Sequence, residues 1–384
     1  MLFTKSLKVF LVVYFLCHWS LSTLAQDRLL YVLTKSGHQI HTFNLSDPAT
    51  TAETLGKSVA SLSNPYAFLH DPISDELHWV DAKGKMLVSG GAEDTTSTIQ
   101  MLNELQGPTD LALDANARQL YILDHLGAKI FRRPIDGGTN QLLVSDSLKR
   151  PTSIALSAQL GRIFWTDMDL KKIFSCALDG SDIQVFFQPE QGYAVQLSIS
   201  DQRGELYWSD DVQKTISAIG LDGTGERVLY QGGADEAPYG LFIDESADDL
   251  YWSDYKQGTV WRLGLDNLQT VQLVDGLSEP LDVLIIDRMP GSQLRQNMDQ
   301  AGTQATSFNV FPNPTKNHLM VSVSGKIEPG AVFSIYDRQG RLLRKVSLQS
   351  QNFQLDISTL SAGWYLCSLQ SERVRLQKSF VVLP

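Results

Sequence analysis

Cysteine is nearly absent: three residues in a chain of 384, at positions 17, 176 and 367. Such a chain has no disulfide framework and must be held by a hydrophobic core. At 384 residues and 43% hydrophobic content it is large enough to bury one. Long apolar runs are absent too. A membrane helix needs about 20 apolar residues, and the apolar centre at Val9–Cys17 stops well short of that. No phosphate loop, zinc signature, EF-hand loop or Gly-x-Ser-x-Gly elbow occurs, so the nucleotide, zinc and serine-hydrolase chemistries these motifs carry have no foothold, and no cofactor is expected. Positive charge is scarce as well. The net charge is −11, and residues 27–287 hold 38 acidic against 19 basic side chains. An acidic body of this kind disfavours nucleic acid and anionic membrane surfaces.

What the chain does contain is a repeat. Phe164-Trp165-Thr166-Asp167 returns as Tyr207-Trp208-Ser209-Asp210 and Tyr251-Trp252-Ser253-Asp254. Weaker copies are Tyr121-Ile122-Leu123-Asp124 and His78-Trp79-Val80-Asp81, and Tyr31-Val32-Leu33-Thr34 lacks the acid. The first positions, 31, 78, 121, 164, 207 and 251, are separated by 47, 43, 43, 43 and 44 residues. A period of roughly 40–45 residues is the signature of a propeller with one blade per repeat.

Within one repeat, residues 150–187, Pro151 precedes the apolar run Ile154-Ala155-Leu156, Gly161 turns the chain, and Ile163 to Thr166 forms a second strand. Ile173 to Leu178 is a third strand, Asp179-Gly180 a turn, and Gln184 to Phe187 a fourth strand,. The tetrad acid and the acid of the next turn are 12 residues apart in Asp124/Asp136, Asp167/Asp179, Asp210/Asp222 and Asp254/Asp266. Fixed hairpin lengths of this kind set strand register. In a strand the first and third tetrad positions face one way and the second and fourth the other. Stacked blades bury both faces, and flat aromatics suit the gap between them. The terminal Asp is suited to accept backbone N–H groups of the turn it opens. Its repetition in nearly every blade points to scaffolding rather than to a metal site.

This pattern resembles the YWTD propeller repeats of the low-density lipoprotein receptor family. The tetrads, the Leu-Asp-Gly turns at 178–180 and 221–223, and prolines 108, 151, 238 and 280 match that repeat over roughly residues 29–287. The resemblance implies a six-bladed propeller. Members of the family include receptors that bind secreted proteins, but no ligand residue transfers by motif.

Taken in order, residues 1–25 read as a secretory signal peptide, with Lys5 and Lys8 ahead of the apolar centre and Thr23-Leu24-Ala25 before the cleavage point,. The propeller is expected over 26–287. Its first repeat opens on the tetrad strand, with no inner strand upstream. The missing strand is supplied by Pro280 to Ile286, so the chain ends are expected to pair and close the ring,. Residues 288–305 are polar, lack periodicity and read as a linker,.

The tail, 306–384, carries nine basic and four acidic side chains and about seven short strand-like runs, among them 319–323, 331–336, 342–348 and 355–360. That suggests a small β-sandwich. The order Pro312-Asn313-Pro314-Thr315, Tyr336-Asp337-x-x-Gly340-Arg341, Leu360-x-x-Gly363-x-Tyr365 and a basic residue before the apolar end is similar to the type A C-terminal sorting domain of type IX secretion. That family is bacterial, of the Bacteroidetes lineage. The resemblance implies the type IX secretion machinery as a partner and a secreted or outer-surface location. The fold class is therefore all-β: a six-bladed β-propeller followed by a small C-terminal β-sandwich, with no transmembrane segment.

If the propeller has a site, loops converge at one mouth of its central channel. The residues just after the repeat prolines start the inner strands there and, unlike the tetrads, vary between blades. Tyr66, Asp110, Ser153, Tyr193, Tyr239 and Asp282 are the candidate ligand-binding residues, with Thr109 and Thr152 beside them. No catalytic or metal-binding residue is assigned. His38 and His41 share one hairpin and read as surface strand residues, and His78 takes the place of a tetrad aromatic. Two functions remain open. One is a non-catalytic binding module for an extracellular protein or glycan. The other is a metal-dependent lactonase or hydrolase of the regucalcin and gluconolactonase type. For it Asp110 and Asp282 are available, but no inner-strand Glu or Asn accompanies them in the middle blades.

Overall fold

The computed structural model describes residues 27–36, 38–46, 53–55, 64–91, 97–146 and 148–288, and in the tail 307–311, 315, 317–324, 330–337, 341–348, 350–361, 363–371 and 375–382. The expected signal peptide, and the expected linker apart from Arg288, lie outside these residues.

Among the described residues up to Arg288 there are six four-stranded antiparallel sheets. The specimen repeat forms one of them, from Pro151–Ser157, Arg162–Asp167, Lys172–Ala177 and Gln184–Phe187. Its neighbours repeat the plan, with first strands at Pro65–Asp71, Pro108–Asp114, Leu197–Ser200 and Pro238–Asp244. The remaining sheet joins the two ends of the propeller segment: Pro280–Arg288 pairs antiparallel with Asp27–Thr34, which pairs in turn with Gln39–Asn44. Each first strand packs against the first strand of the next sheet, and Pro238–Asp244 against Pro280–Arg288. The architecture is a β-propeller. We number the sheets one to six by their tetrads, from Tyr31 to Tyr251.

The tetrad aromatics do what alternation requires. Both tetrad aromatics of sheets four, five and six are buried, with Phe164 at 1% and Trp165 at 0% exposure. The first-position ring faces the following sheet and the second-position ring faces the preceding one. Tyr121 therefore shares a cluster with Trp165, Phe164 with Trp208, and Tyr207 with Trp252. Tyr31 and Trp79 fill the gap between sheets one and two in the same way. Burial of each such ring stabilises the fold by about 1.5–3 kcal/mol. Between sheets two and three, His78 and Ile122 stand in for the aromatic pair. His78 is 3% exposed, bonds Ser89 Oγ through Nδ1 at 2.7 Å, and has its pKa lowered by burial to about 4, so it packs as a neutral ring.

The third tetrad position has a job that alternation alone did not assign. The Ser209 hydroxyl donates to the backbone oxygen of Tyr239, in the next sheet, at 2.6 Å. Thr166 and Ser253 reach the carbonyls of Val195 and Leu281 in the same manner, and each also accepts a backbone N–H of its own sheet, from Ser153 and Gly240. The hydroxyl stitches adjacent blades where an apolar residue could not.

The fourth position reaches further than expected. Asp167 accepts Leu170 N from the turn it opens, and also Lys149 N and Arg150 N from the loop that enters its blade. Asp124, Asp210 and Asp254 do the same, accepting Gly127, Gln213 and Gln257 N on one side and Gly107, Tyr193 and Ala237 N on the other. These carboxylates are 0–2% exposed. In sheet one, Thr34 bonds Gln39 O instead, and the entering loop is held by Lys35 N to Glu279 O at 3.0 Å.

In the tail, one sheet pairs Ser307–Phe311, His318–Ser324 and Asn352–Asp356, and the other runs Leu342–Ser347, Val332–Tyr336, Gly363–Gln370, Arg375–Val382. Leu319, Val321 and Leu355 of the first sheet share a core with Phe333, Ile335, Cys367 and Leu369 of the second, which makes a sandwich. The strand expected at 355–360 lies earlier, because Leu360 N turns back onto Ile357 O. Cys176 and Cys367 are both buried.

Asp167→Ala removes a charged acceptor from three backbone donors. Each buried donor left unpaired costs about 1–3 kcal/mol, so the variant should lose about 3 kcal/mol or more in denaturant unfolding at unchanged m value. Asp179→Ala, on an exposed turn, should leave the midpoint near wild type, and equal losses in the two variants would contradict this assignment.

Candidate functional site

The repeat prolines mark a local break in pairing. Register shifts fall between Pro65 and Phe68, Pro108 and Asp110, Pro151 and Ile154, and Pro238 and Leu241. Bulges of this kind re-aim side chains. They do so here at one end of four of the first strands, where the tetrad carboxylates also gather the loops. The result is two tiers of side chains.

The inner tier is a ring of acceptors between blades. Asp110 Oδ2 accepts Ile154 N of the next sheet at 2.8 Å, Ser153 Oγ accepts Leu197 N at 3.0 Å, and Asp282 Oδ2 accepts Phe68 N at 3.1 Å. The other oxygen of each aspartate accepts the next backbone N–H of its own strand, from Leu111 and Val283. Those two donors follow blades that offer no acceptor, since Ala67 and Gly240 occupy the matching positions. Gly240 is required there, because a Cβ would lie 2.2 Å from Leu281 O. Asp110, Ser153 and Asp282, expected to face a ligand, are thus buried staples, at 4%, 0% and 6% exposure. Burial pushes the Asp110 carboxyl up to about 6, against the pull of its hydrogen bonds. Burial, and then the charge of Asp110, pushes Asp282 up to about 8.

The outer tier holds the tyrosines. Tyr66, Tyr193 and Tyr239 are half-buried, and the structure adds Tyr255, whose ring centroid lies 5.8 Å from that of Tyr239. The Tyr255 hydroxyl donates to Glu279 Oε1 at 2.7 Å and receives Lys35 Nζ at 3.4 Å. Ser36 Oγ donates to Glu279 Oε2 at 2.6 Å. The Tyr239 hydroxyl is raised first by burial and then by the charges of Tyr66 and Asp211. Tyr193 is pushed up to about 12 by burial and by the Asp211 carboxylate it faces. The four rings, Asp211, Lys35 and Glu279 therefore act on one another at this mouth. Thr152 turns inward instead, bonding Thr166 Oγ1 and Val195 O.

Lys35, Asp211 and Tyr255 were not anticipated. Each directly follows a tetrad's fourth residue, at the start of a turn on the same rim. The signal was available, because that fifth position differs in every blade (Lys35, Ala82, His125, Met168, Asp211, Tyr255) while the four before it follow a common pattern. His41 Nε2 lies 3.4 Å from Thr34 Oγ1, on the hairpin it shares with His38.

Comparison with known proteins bears on two parts of the chain. Residues 309–383 match the family described as secretion system C-terminal sorting domain. The propeller is similar to a chain of the nidogen/laminin complex, with 18% identity and a TM-score of 0.58, covering 67% of this chain and 98% of that one. It is also similar to a TolB protein of Agrobacterium tumefaciens, with 12% identity and a TM-score of 0.52, covering 69% and 98%. Both are β-propellers, and at these identities they speak to the fold alone. No curated protein matches the chain. The sorting domain marks the protein for export by type IX secretion, to the exterior or the cell surface. Among the described residues no helix is long and apolar enough to cross a membrane.

The raised Asp282 carboxyl has a stability consequence. Its proton is favoured in the folded state, so the associated stability is complete below the unfolded value near 3.8 and is lost as pH rises through about 8,. Between pH 7.5 and 9, where His78 is neutral in both states, wild-type stability should fall by about 1 kcal/mol,. Asp282→Asn should flatten that slope in denaturant melts across the same range, and an unchanged slope would contradict the assignment.

Proposed function

We propose that residues 26–287 form a six-bladed YWTD-like propeller that works outside the cell as a non-catalytic binding module. A linker at 288–305 joins it to a type A sorting domain at 306–384, behind a signal peptide at 1–25, in a bacterium of the Bacteroidetes lineage. The ligand is an extracellular protein or glycan, held at the channel mouth by Tyr66, Tyr193 and Tyr239, with Tyr255 and Asp211 beside them.

The observation that carries this reading is the division of labour between the tiers. Both oxygens of Asp110 and of Asp282 accept backbone N–H groups, one from the next blade and one from the residue's own strand, whereas the side chains of Tyr66, Tyr193 and Tyr239 make none of the bonds described between blades. Rigid amphipathic rings on a fixed scaffold suit recognition, since they bury much area at little entropic cost. A lactonase centre would have to turn the same two carboxylates toward a cation and break the inter-blade bonds.

The test is capture from culture medium and on glycan arrays, with wild type, Tyr66→Ala and Tyr239→Ala, each checked for an unchanged melting temperature. Retention by wild type and loss of at least tenfold in the variants is expected. Equal retention by all three would remove the mouth from the account. A stoichiometric divalent ion in the dialysed protein, lost in Asp282→Ala, would favour the lactonase.

A further inference from the structure

Two carboxylates sit in the outer tier, and they are treated differently. Glu279 is satisfied by Ser36 and Tyr255, with the Lys35 charge nearby. Asp211 is not: its Oδ1 is buried and has no hydrogen-bond partner. The basic groups around it are engaged elsewhere. Lys214 Nζ donates to the backbone carbonyl of Asp211 rather than to its carboxylate. Arg150, whose charge reaches Tyr193, is paired with Asp169 at 3.2 Å. A buried carboxylate oxygen without a donor costs free energy that a cationic partner would recover.

The rings around Asp211 suit a cation too. Tyr193 faces its carboxylate, and Tyr239 lies within reach of its charge and packs on Tyr255. This chain already shows one such contact: the Lys35 ammonium lies 5.7 Å from the centroid of the Tyr255 ring. A cation over a tyrosine face gains from the ring quadrupole, more so when it is partly desolvated. The acidic body, with 38 acidic against 19 basic side chains over 27–287, would draw a positive ligand toward the mouth,.

We propose that the mouth takes a lysine or arginine side chain of a protein partner, with the Asp211 carboxylate as the acceptor and Tyr193 and Tyr239 as flanking walls. This rests on the binding reading of the same surface and narrows it to a basic peptide segment. A neutral glycan would offer Asp211 hydroxyl donors but no compensating charge, and an acidic glycan would be repelled.

The experiment uses the purified full chain and a fluorescein-labelled peptide of alternating Lys and Gly, with Gln-Gly and Glu-Gly peptides as controls, read by anisotropy at fixed ionic strength. The Lys peptide should bind at least tenfold more tightly than the Gln peptide. Asp211→Asn and Tyr239→Phe-plus-Tyr193→Ala should each weaken it at least tenfold, while the exposed Asp235→Asn should not. Equal weakening by Asp235→Asn would mean diffuse attraction to an acidic surface and would overturn the proposal. So would a glycan or peptide-independent partner whose capture needs Tyr239 but not Asp211; that result would leave the binding function standing. Failure of every ligand to depend on Tyr239 would remove both.

Discussion

In five of the six propeller sheets described, the loops at one rim depend on one kind of bond, the buried tetrad carboxylate accepting backbone N–H groups from two directions. Asp167, Asp210 and Asp254 each tie the loop entering a blade to the turn that leaves its second strand. The two segments are about 20 residues apart in sequence and meet at one carboxylate. Charge-assisted bonds to buried backbone are among the stronger hydrogen bonds available. Because the carboxylate fixes the backbone, the residues on either side of it are free to differ. Tyr193 and Tyr255 stand beside such fixed points, which is how a repeated scaffold can carry an unrepeated surface.

The blades are joined by a second set of contacts, and these show compensation. Where the tetrad keeps its hydroxyl, Thr166, Ser209 and Ser253 bond the next blade. Sheets two and three have Val80 and Leu123 instead. Gly240 and Ala67 leave gaps in the inner ring of acceptors, and Asp282 and Asp110 close them by accepting twice. The cost is two buried carboxyls with raised pKa values. The sheet formed by the two ends of the propeller segment keeps Tyr31 but lacks the acid, and its mouth loop is held by a backbone bond and by Lys35, Tyr255 and Glu279.

Much of this was legible in the sequence. The period gave the blades, the constant 12-residue spacing gave the hairpins, and the orphan strand at Pro280 gave the pairing of the propeller's two ends seen in the register with Asp27–Thr34. The part that was not legible depends on which residues of different repeats meet. Asp110 and Asp282 read as ligand-facing because acids in a channel suggest chemistry. Only the three-dimensional register shows that Ile154 N and Phe68 N need them. Tyr255 and Asp211 open the turn after a tetrad rather than a strand, yet that turn lies on the same rim as the strand starts.

Native-state hydrogen exchange at the loop amides of Lys149 and Arg150 tests the carboxylate clamp most directly. These amides belong to no strand ladder, so ordinary loop amides would exchange near the unprotected rate. The account predicts protection approaching that of the strand core in wild type, and its selective loss at these two amides and Leu170 in Asp167→Ala. Fast exchange at Lys149 and Arg150 in the wild-type protein would contradict it.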